Sequence, residues 1–182
     1  MNYEMLVNKT NTLDEFYIPN NLVDSLSKYK NNILVEENAL NAFRKMQKDA
    51  LDYNYVIDIM SGYRTYNYQK NLYNNLVKNM GFNYALRAIA KPGCSEHQTG
   101  LAIDYCIYKN DKCYIEHEII DMVETKWIHD NAHKYGFILR YPKGKEEITG
   151  YNYEPWHLRY VGDLAIYLYN NDLTLEEYKD SK

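Results

Sequence analysis

Apolar and polar positions repeat along this chain with two different periods. In residues 36–51, "EENALNAFRKMQKDAL", Leu40, Phe43, Gln47 and Ala50/Leu51 recur at helical spacing, and acidic residues sit at the start, where free helix N–H groups favour them. The spacing predicts a helix. "YNYVIDIM" (53–60) is β-branched and partly alternating, which predicts a strand. "SGYRT" follows as a turn, and "YNYQKNLYNNLVKNMG" as a helix with Leu72 and Leu76 inward and Gly81 as its C-terminal cap. "AKPG" turns the chain, "GLAIDYCIY" is a strand, and "KNDK" reverses direction. From Glu116 to Tyr135 the helical period returns, with Ile119, Ile120, Val123 and Trp127 inward and Gly136 as the stop. "FILRY" reads as a strand, "PKGKEEITG" as a charged surface loop, and "YNYEPWHLRYVG" as strand and turn. Two short helices close the chain, the second with Thr174 and Glu177 spaced as a capping box. Residues 1–20 read as an extended, Asn-rich arm ending at Pro19. Helices at both ends, with hairpin-like strands between them, predict an α+β fold: a central antiparallel sheet flanked by helices.

Composition narrows this picture. A chain of 182 residues suffices for one domain with a real core, so residues 1–182 are expected to form a single domain. Charged residues at 25% and hydrophobic ones at 46% are those of an ordinary globular protein. The net charge of -4 supplies no basic footprint, which argues against nucleic acid as a partner. Tyrosine outnumbers phenylalanine 21 to 4, so tyrosine is expected to do much of the core packing.

The three cysteines, Cys94, Cys106 and Cys113, lack CxxC spacing. Cys106 and Cys113 could pair across the "KNDK" turn, but free thiols fit a reducing compartment better. The first residues show no basic start followed by an apolar run, and no window approaches the ~20 apolar residues of a membrane span. A cytoplasmic protein is expected. The alternative is an exported one whose export segment lies outside this chain.

Chemistry concentrates in two stretches. In "CSEHQTGLAID" (94–104), His97 and Asp104 flank a glycine and a short apolar run. Side chains alternate along a strand, so Gly100, Ala102 and Asp104 are expected on one face, the two small residues leaving room for a metal. Gly100 also permits a sharp turn that brings His97 back toward Asp104. Taken alone, this is equally a polar loop running into a strand that carries a surface aspartate. "YEPWH" (153–157) changes the balance. Pro155 disfavours helix at Glu154, so Glu154 and His157 can face one cavity. His157 then supplies a third ligand, and Glu154 stands ready as a general base on an attacking water. A Trp-anchored turn with a satisfied histidine is the plainer reading of the pair.

A competing pair is His129 and His133, four apart on a predicted helix. The zincin motif needs Glu after the first histidine, where this chain has Asp130, and both histidines lie in polar last turns. His117, between Glu116 and Glu118, is expected to be solvated.

"SEHQTGLAID" and "EPWH" together resemble the SxHxxGxAxD and ExxH-type signatures of the zinc D-alanyl-D-alanine metallopeptidases. "SGYRTYNYQ", "YGFILRYPKGKEEITGYNYEPWHLRYVG" and "LTLEEY" look like the VanY and VanXY branch of vancomycin resistance, so the resemblance covers nearly the whole chain. It implies a hedgehog/DD-peptidase-like fold and one zinc per chain, held by His97, Asp104 and His157. It implies Glu154 as catalytic base and Arg64 as the oxyanion-stabilising arginine. Ser95, Gln69 and Trp156 would contact substrate, a peptidoglycan precursor peptide ending in D-Ala-D-Ala that would lose its C-terminal D-alanine, and the resemblance extends to a dipeptidase activity on free D-Ala-D-Ala.

An L,D-carboxypeptidase trimming tetrapeptide stems shares these motifs. A non-catalytic zinc-containing binding domain of the hedgehog type shares the fold. Glu154 separates the last from an enzyme, because a binding domain needs no general base. Cys94, beside the motif, departs from the commoner small or polar residue. A fourth protein ligand would close the site, so Cys94 is expected to point away.

Overall fold

The computed structural model describes residues 2–182. The Asn-rich arm does not simply stay extended. It leads into an antiparallel hairpin of β1 (Leu22–Asp24) and β2 (Leu34–Glu36), which the sequence pattern does not announce because each strand has only three residues. Glu36 caps α1 (Glu37–Leu51), its carboxylate accepting from Ala39 N at 3.0 Å. The buried stripe of α1 is Ala39, Phe43, Met46 and Ala50. Leu51, expected inward, is exposed, and Gln47 turns sideways to donate to Ile57 O and Asp58 Oδ1.

The helix lies against a five-stranded sheet. β3 (Val56–Ser61) pairs with β4 (Ala102–Lys109), which pairs with β7 (His157–Tyr160), which pairs with β6 (Phe137–Leu139). β5 (Lys112–Tyr114) folds back on β4. Every pairing is antiparallel, as the α+β reading requires. The β4–β5 turn places Asn110 and Asp111 at φ of 52° and 59°, the tight reversal expected of "KNDK". Ile57, Ile59, Ile103, Ile107, Phe137 and Leu158 pack with the α1 stripe into one core. Phe43 meets Phe137 edge-on, with centroids 6.2 Å apart. Burying such a side chain contributes roughly 1.5–3 kcal/mol.

Between β3 and β4 run α2 (Tyr66–Met80) and α3 (Phe82–Ala88). Thr65 caps α2 through Tyr68 N, and Gly81 ends it at φ 87°. Gln69 and Tyr73 are its buried residues, while Leu72 and Leu76 are half-buried. The second helix, α3, was hidden by the glycine that separates it.

The long helix expected from Glu116 to Tyr135 is broken. A 3₁₀ turn spans Glu116–Ile119, α4 covers Val123–Asn131, and a second 3₁₀ turn ends at Gly136. The break occurs where Thr125 Oγ1 donates to Ile119 O at 2.6 Å, a contact that competes with continued helix. Ile119 and Ile128 are buried, whereas Ile120 and Val123 are exposed. The charged loop contains one helical turn, α5 (Glu146–Thr149). α6 (Leu164–Asn170) and α7 (Leu175–Asp180) close the chain, and Thr174 and Glu177 form the expected capping box. No helix among the described residues is long and apolar enough to cross a membrane. Cys94, Cys106 and Cys113 are all free.

Candidate active site

The site is assembled at the end of β4. Upstream, Glu96–Thr99 make one 3₁₀ turn that Gly100 ends in the left-handed region at φ 72°. Gly100 therefore caps the turn and does not share the strand face with Ala102 and Asp104. The space above it is filled by the β1–β2 hairpin, since a Cβ there would meet Leu22 Cδ2 at 2.8 Å. The turn carries His97 back to the strand end, as expected. His97 Nδ1 donates to Gly62 O at 2.6 Å, and Arg64 N donates to His97 O at 3.1 Å, so the "SGYR" turn grips the histidine from both sides.

Asp104 and His157 are register partners in the β4–β7 ladder. His97 Nε2 lies 3.2 Å from Asp104 Oδ2, and His157 Nδ1 lies 3.2 Å from Asp104 Oδ1. Ligand atoms of these three residues all fall within 4.8 Å of one another. Two imidazoles and a carboxylate are the donor set of a catalytic zinc site. The buried Asp104 Oδ1 makes no well-formed hydrogen bond, so an acceptor there is left unspent. The residues fit a zinc ion.

Electrostatics agree. Burial and the nearby Arg64 hold His97 below the ordinary imidazole range, hence neutral. Burial opposes ionisation of Asp104, yet His97, His157 and Arg64 keep its carboxyl well below the usual carboxylate range. For His157, burial disfavours the cation, but Asp104 and Glu96 outweigh it and push the ring up to about 9.

Glu154 is placed by its neighbours. Its N–H donates to Tyr141 O, its carbonyl accepts from His157 N, and Oε2 stands 3.5 Å from His157 Nδ1. Burial, with Asp104 and Glu116 adding repulsion against His157 and Arg64, pushes its carboxyl up to about 7. Arg64 donates from Nη2 to Asp104 Oδ2 at 2.6 Å and to Ser61 Oγ at 2.9 Å. These groups line a cavity of ≈ 170 Å³ with Ser95, Gln69 and Trp156. Gln69 donates from Nε2 to Ala90 O at 2.8 Å and leaves Oε1 buried without a partner. The cavity continues into a second, of ≈ 380 Å³, bounded by Arg64, Tyr68, Glu116 and Trp156. All eight residues singled out in the sequence thus come to one cleft.

The competing histidines do not. His129 donates from Nε2 to Pro155 O at 2.8 Å, and His133 stacks on Tyr169 at 3.6 Å. His129 is scaffolding for the "EPWH" turn. His117 is exposed but also packs edge-on against Trp156. Cys94 is buried and lies outside the converging ligand group. Sequence reasoning missed Tyr141, whose ring sits 4.9 Å from that of His157, and Glu96, whose place inside the motif carries no spacing signal.

The family model for VanY, D-alanyl-D-alanine carboxypeptidase, matches residues 32–163. The chain belongs to the VanY family. It is 44% identical over 179 residues to the putative carboxypeptidase YodJ of Bacillus subtilis, covering 95% of this chain and 65% of that protein, so it spans just under two thirds of that relative. Among solved structures, the LdcB LD-carboxypeptidase superposes with a TM-score of 0.89 at 43% identity, over 96% of this chain and 84% of the other. A mutant of the vancomycin-resistance D,D-pentapeptidase VanY, solved in complex with Zn(II), superposes with a TM-score of 0.83 at 30% identity, over 98% and 99%. The fold of this VanY-family chain is that of its relatives, and His97, Asp104 and His157 converge in one cleft.

Proposed function

We propose that this chain is a zinc carboxypeptidase that removes the C-terminal D-alanine of peptidoglycan precursor peptides ending in D-Ala-D-Ala. The observation that carries the reading is the meeting of His97, Asp104 and His157 in a cleft with Glu154 Oε2 at 3.5 Å from His157 Nδ1. His97, Asp104 and His157 would hold a zinc ion, which would supply the Lewis acidity to polarise a carbonyl and acidify water. Glu154, poised near neutrality by burial, takes a proton from water as its oxygen adds to the scissile carbonyl carbon. It returns that proton to the D-alanine nitrogen as the C–N bond breaks. Arg64, a cation on the cleft wall, stabilises the negative charge that develops on the former carbonyl oxygen. Ser95 offers a hydroxyl to the terminal carboxylate, and the unspent Gln69 Oε1 suits a substrate N–H. Trp156 walls the cleft.

A second reading is L,D-carboxypeptidase action on tetrapeptide stems, favoured by the likeness to LdcB. Both release D-alanine and differ in the residue before it. Product analysis on pentapeptide, tetrapeptide and free D-Ala-D-Ala, with and without chelator, decides. Chelator-sensitive D-alanine release from the pentapeptide supports the first, and release from the tetrapeptide alone supports the second. No release from any of the three overturns both. We place the action in the cytoplasm, a reading supported by the three free thiols. Fractionation of cells making the native protein tests it.

A further inference from the structure

A cluster of fully buried charges lies directly behind the site. Glu96, Arg140 and Arg159 have fully buried side chains. Glu96 Oε1 accepts from Arg140 Nε at 2.8 Å and from Arg159 Nη1 at 2.7 Å. Arg140 also donates from Nη1 and Nη2 to Glu176 of α7, at 2.8 and 2.6 Å. Arg159 Nη2 donates to the carbonyls of Tyr3 and Met5. Two carboxylates against two guanidiniums already balance. The second oxygen of Glu96 is therefore not consumed by charge neutralisation.

That oxygen, Oε2, is buried without a hydrogen-bond partner, and so is His157 Nε2. The two face each other at 3.7 Å. A buried acceptor and a buried ring nitrogen, each unspent, lie a few tenths of an ångström beyond hydrogen-bond distance. His97 already has such an anchor, the Gly62 carbonyl on its Nδ1.

We infer that Glu96 is a positioning residue for His157: its free oxygen accepts from His157 Nε2–H, so that Nδ1 presents its lone pair toward Asp104 and His97. The inference rests on His157 being a ligand. Outer-sphere carboxylates of this kind fix the tautomer and orientation of a ligating imidazole and make it a stronger donor. The two arginines stop Glu96 from swinging away. The motif thus supplies a ligand at His97 and, one residue earlier, the anchor for the other histidine 61 positions down the chain (157 minus 96).

Glu96→Gln tests this sharply. The arginines, which only donate, will claim the amide oxygen and leave the NH₂ against Nε2. His157 must then accept there and carry its proton on Nδ1, where the lone pair was needed. Zinc affinity by chelator competition should fall about 10- to 100-fold in the folded variant. Nitrogen-15 NMR of the zinc-free variant should show the His157 proton on Nδ1. In the zinc-loaded parent, His157 Nε2–H should be strongly downfield and slow to exchange, and both features should vanish in the variant.

Glu96→Asp keeps the charge but draws back from His157. It is expected to fold and to lose affinity likewise, and it serves if Glu96→Gln does not fold. If neither folds, an ordinary, fast-exchanging Nε2–H in the parent overturns the inference. So does a folded variant that binds zinc within twofold of the parent. His157→Ala separates the two levels. If it retains zinc, the ligand assignment itself fails; if it loses zinc while Glu96→Gln does not, only the role of Glu96 fails.

Discussion

As a proposed ligand His157 would offer a lone pair at Nδ1, and because burial opposes its protonation while Asp104 and Glu96 favour it, metal uptake is expected to depend on pH. With the ring pushed up to about 9, the metal-free site carries a proton that zinc must displace. Apparent zinc affinity should therefore rise with pH, by about tenfold per unit across the neutral range, as mass action for one proton requires. Chelator competition at several pH values measures the slope, and a flat profile contradicts it. His157→Ala should lose stoichiometric zinc. The double variant His129→Ala, His133→Ala should keep it, since those rings serve Pro155 O and Tyr169.

Glu154→Gln should keep zinc and fold while turning over at least ~100-fold more slowly, because general acid–base catalysis contributes roughly 10²–10⁴. Loss of metal in that variant would make Glu154 a ligand. The side chains proposed as ligands and base could be named from the sequence because two short motifs carry them, and the structure brings them into one cleft. Glu96 was not, because its partners Arg140 and Arg159 lie far along the chain and no spacing links them.

Among the elements, those with a strong internal period appear where the sequence places them: α1, β3, β4 and the capping box of α7. The failures have separate causes. The run from Glu116 to Tyr135 has a helical period, yet the Thr125 hydroxyl takes the Ile119 carbonyl and Met122 becomes the N-terminal flank of α4. Periodicity cannot register such a contact. The β1–β2 hairpin was equally invisible, and it is the hairpin that closes over Gly100. An alanine there would meet Leu22 Cδ2 at 2.8 Å while adopting φ 72°. Gly100→Ala should cost at least ~1–2 kcal/mol, the usual penalty of the left-handed region, with the steric clash in addition. Denaturant unfolding of the zinc-free protein checks this. A loss of only ~1 kcal/mol would mean that Leu22 yields freely and the backbone penalty alone remains, and a loss below a few tenths would contradict the prediction.

For the molecule as a whole, the buried chain of charges joins parts remote in sequence: the N-terminal arm through Tyr3 and Met5, the site through Glu96, the sheet through Arg140 and Arg159, and the last helix through Glu176. Asn8 Nδ2 also donates to Glu176 Oε1 at 3.2 Å. Removing one partner from a buried ionic group leaves an uncompensated charge, which costs about 3–5 kcal/mol. Glu176→Ala should therefore destabilise the protein by about that much although it lies at the far end of the chain. Urea unfolding provides the measure, and a loss under ~1 kcal/mol would show that water or Asn8 compensates Arg140.

The ladder pairing of Asp104 with His157 also governs which changes of length the chain can absorb. A one-residue insertion inside β4 or β7 would turn every following side chain to the opposite face and carry a ligand out of the cleft. An insertion in the loop after Pro142 leaves that ladder untouched, because β7 is re-registered by its own pairing and not by the length of the approach. Residues 143–150 do not line the cleft around His97, Asp104 and His157, so a change of length there is expected to leave that trio in place.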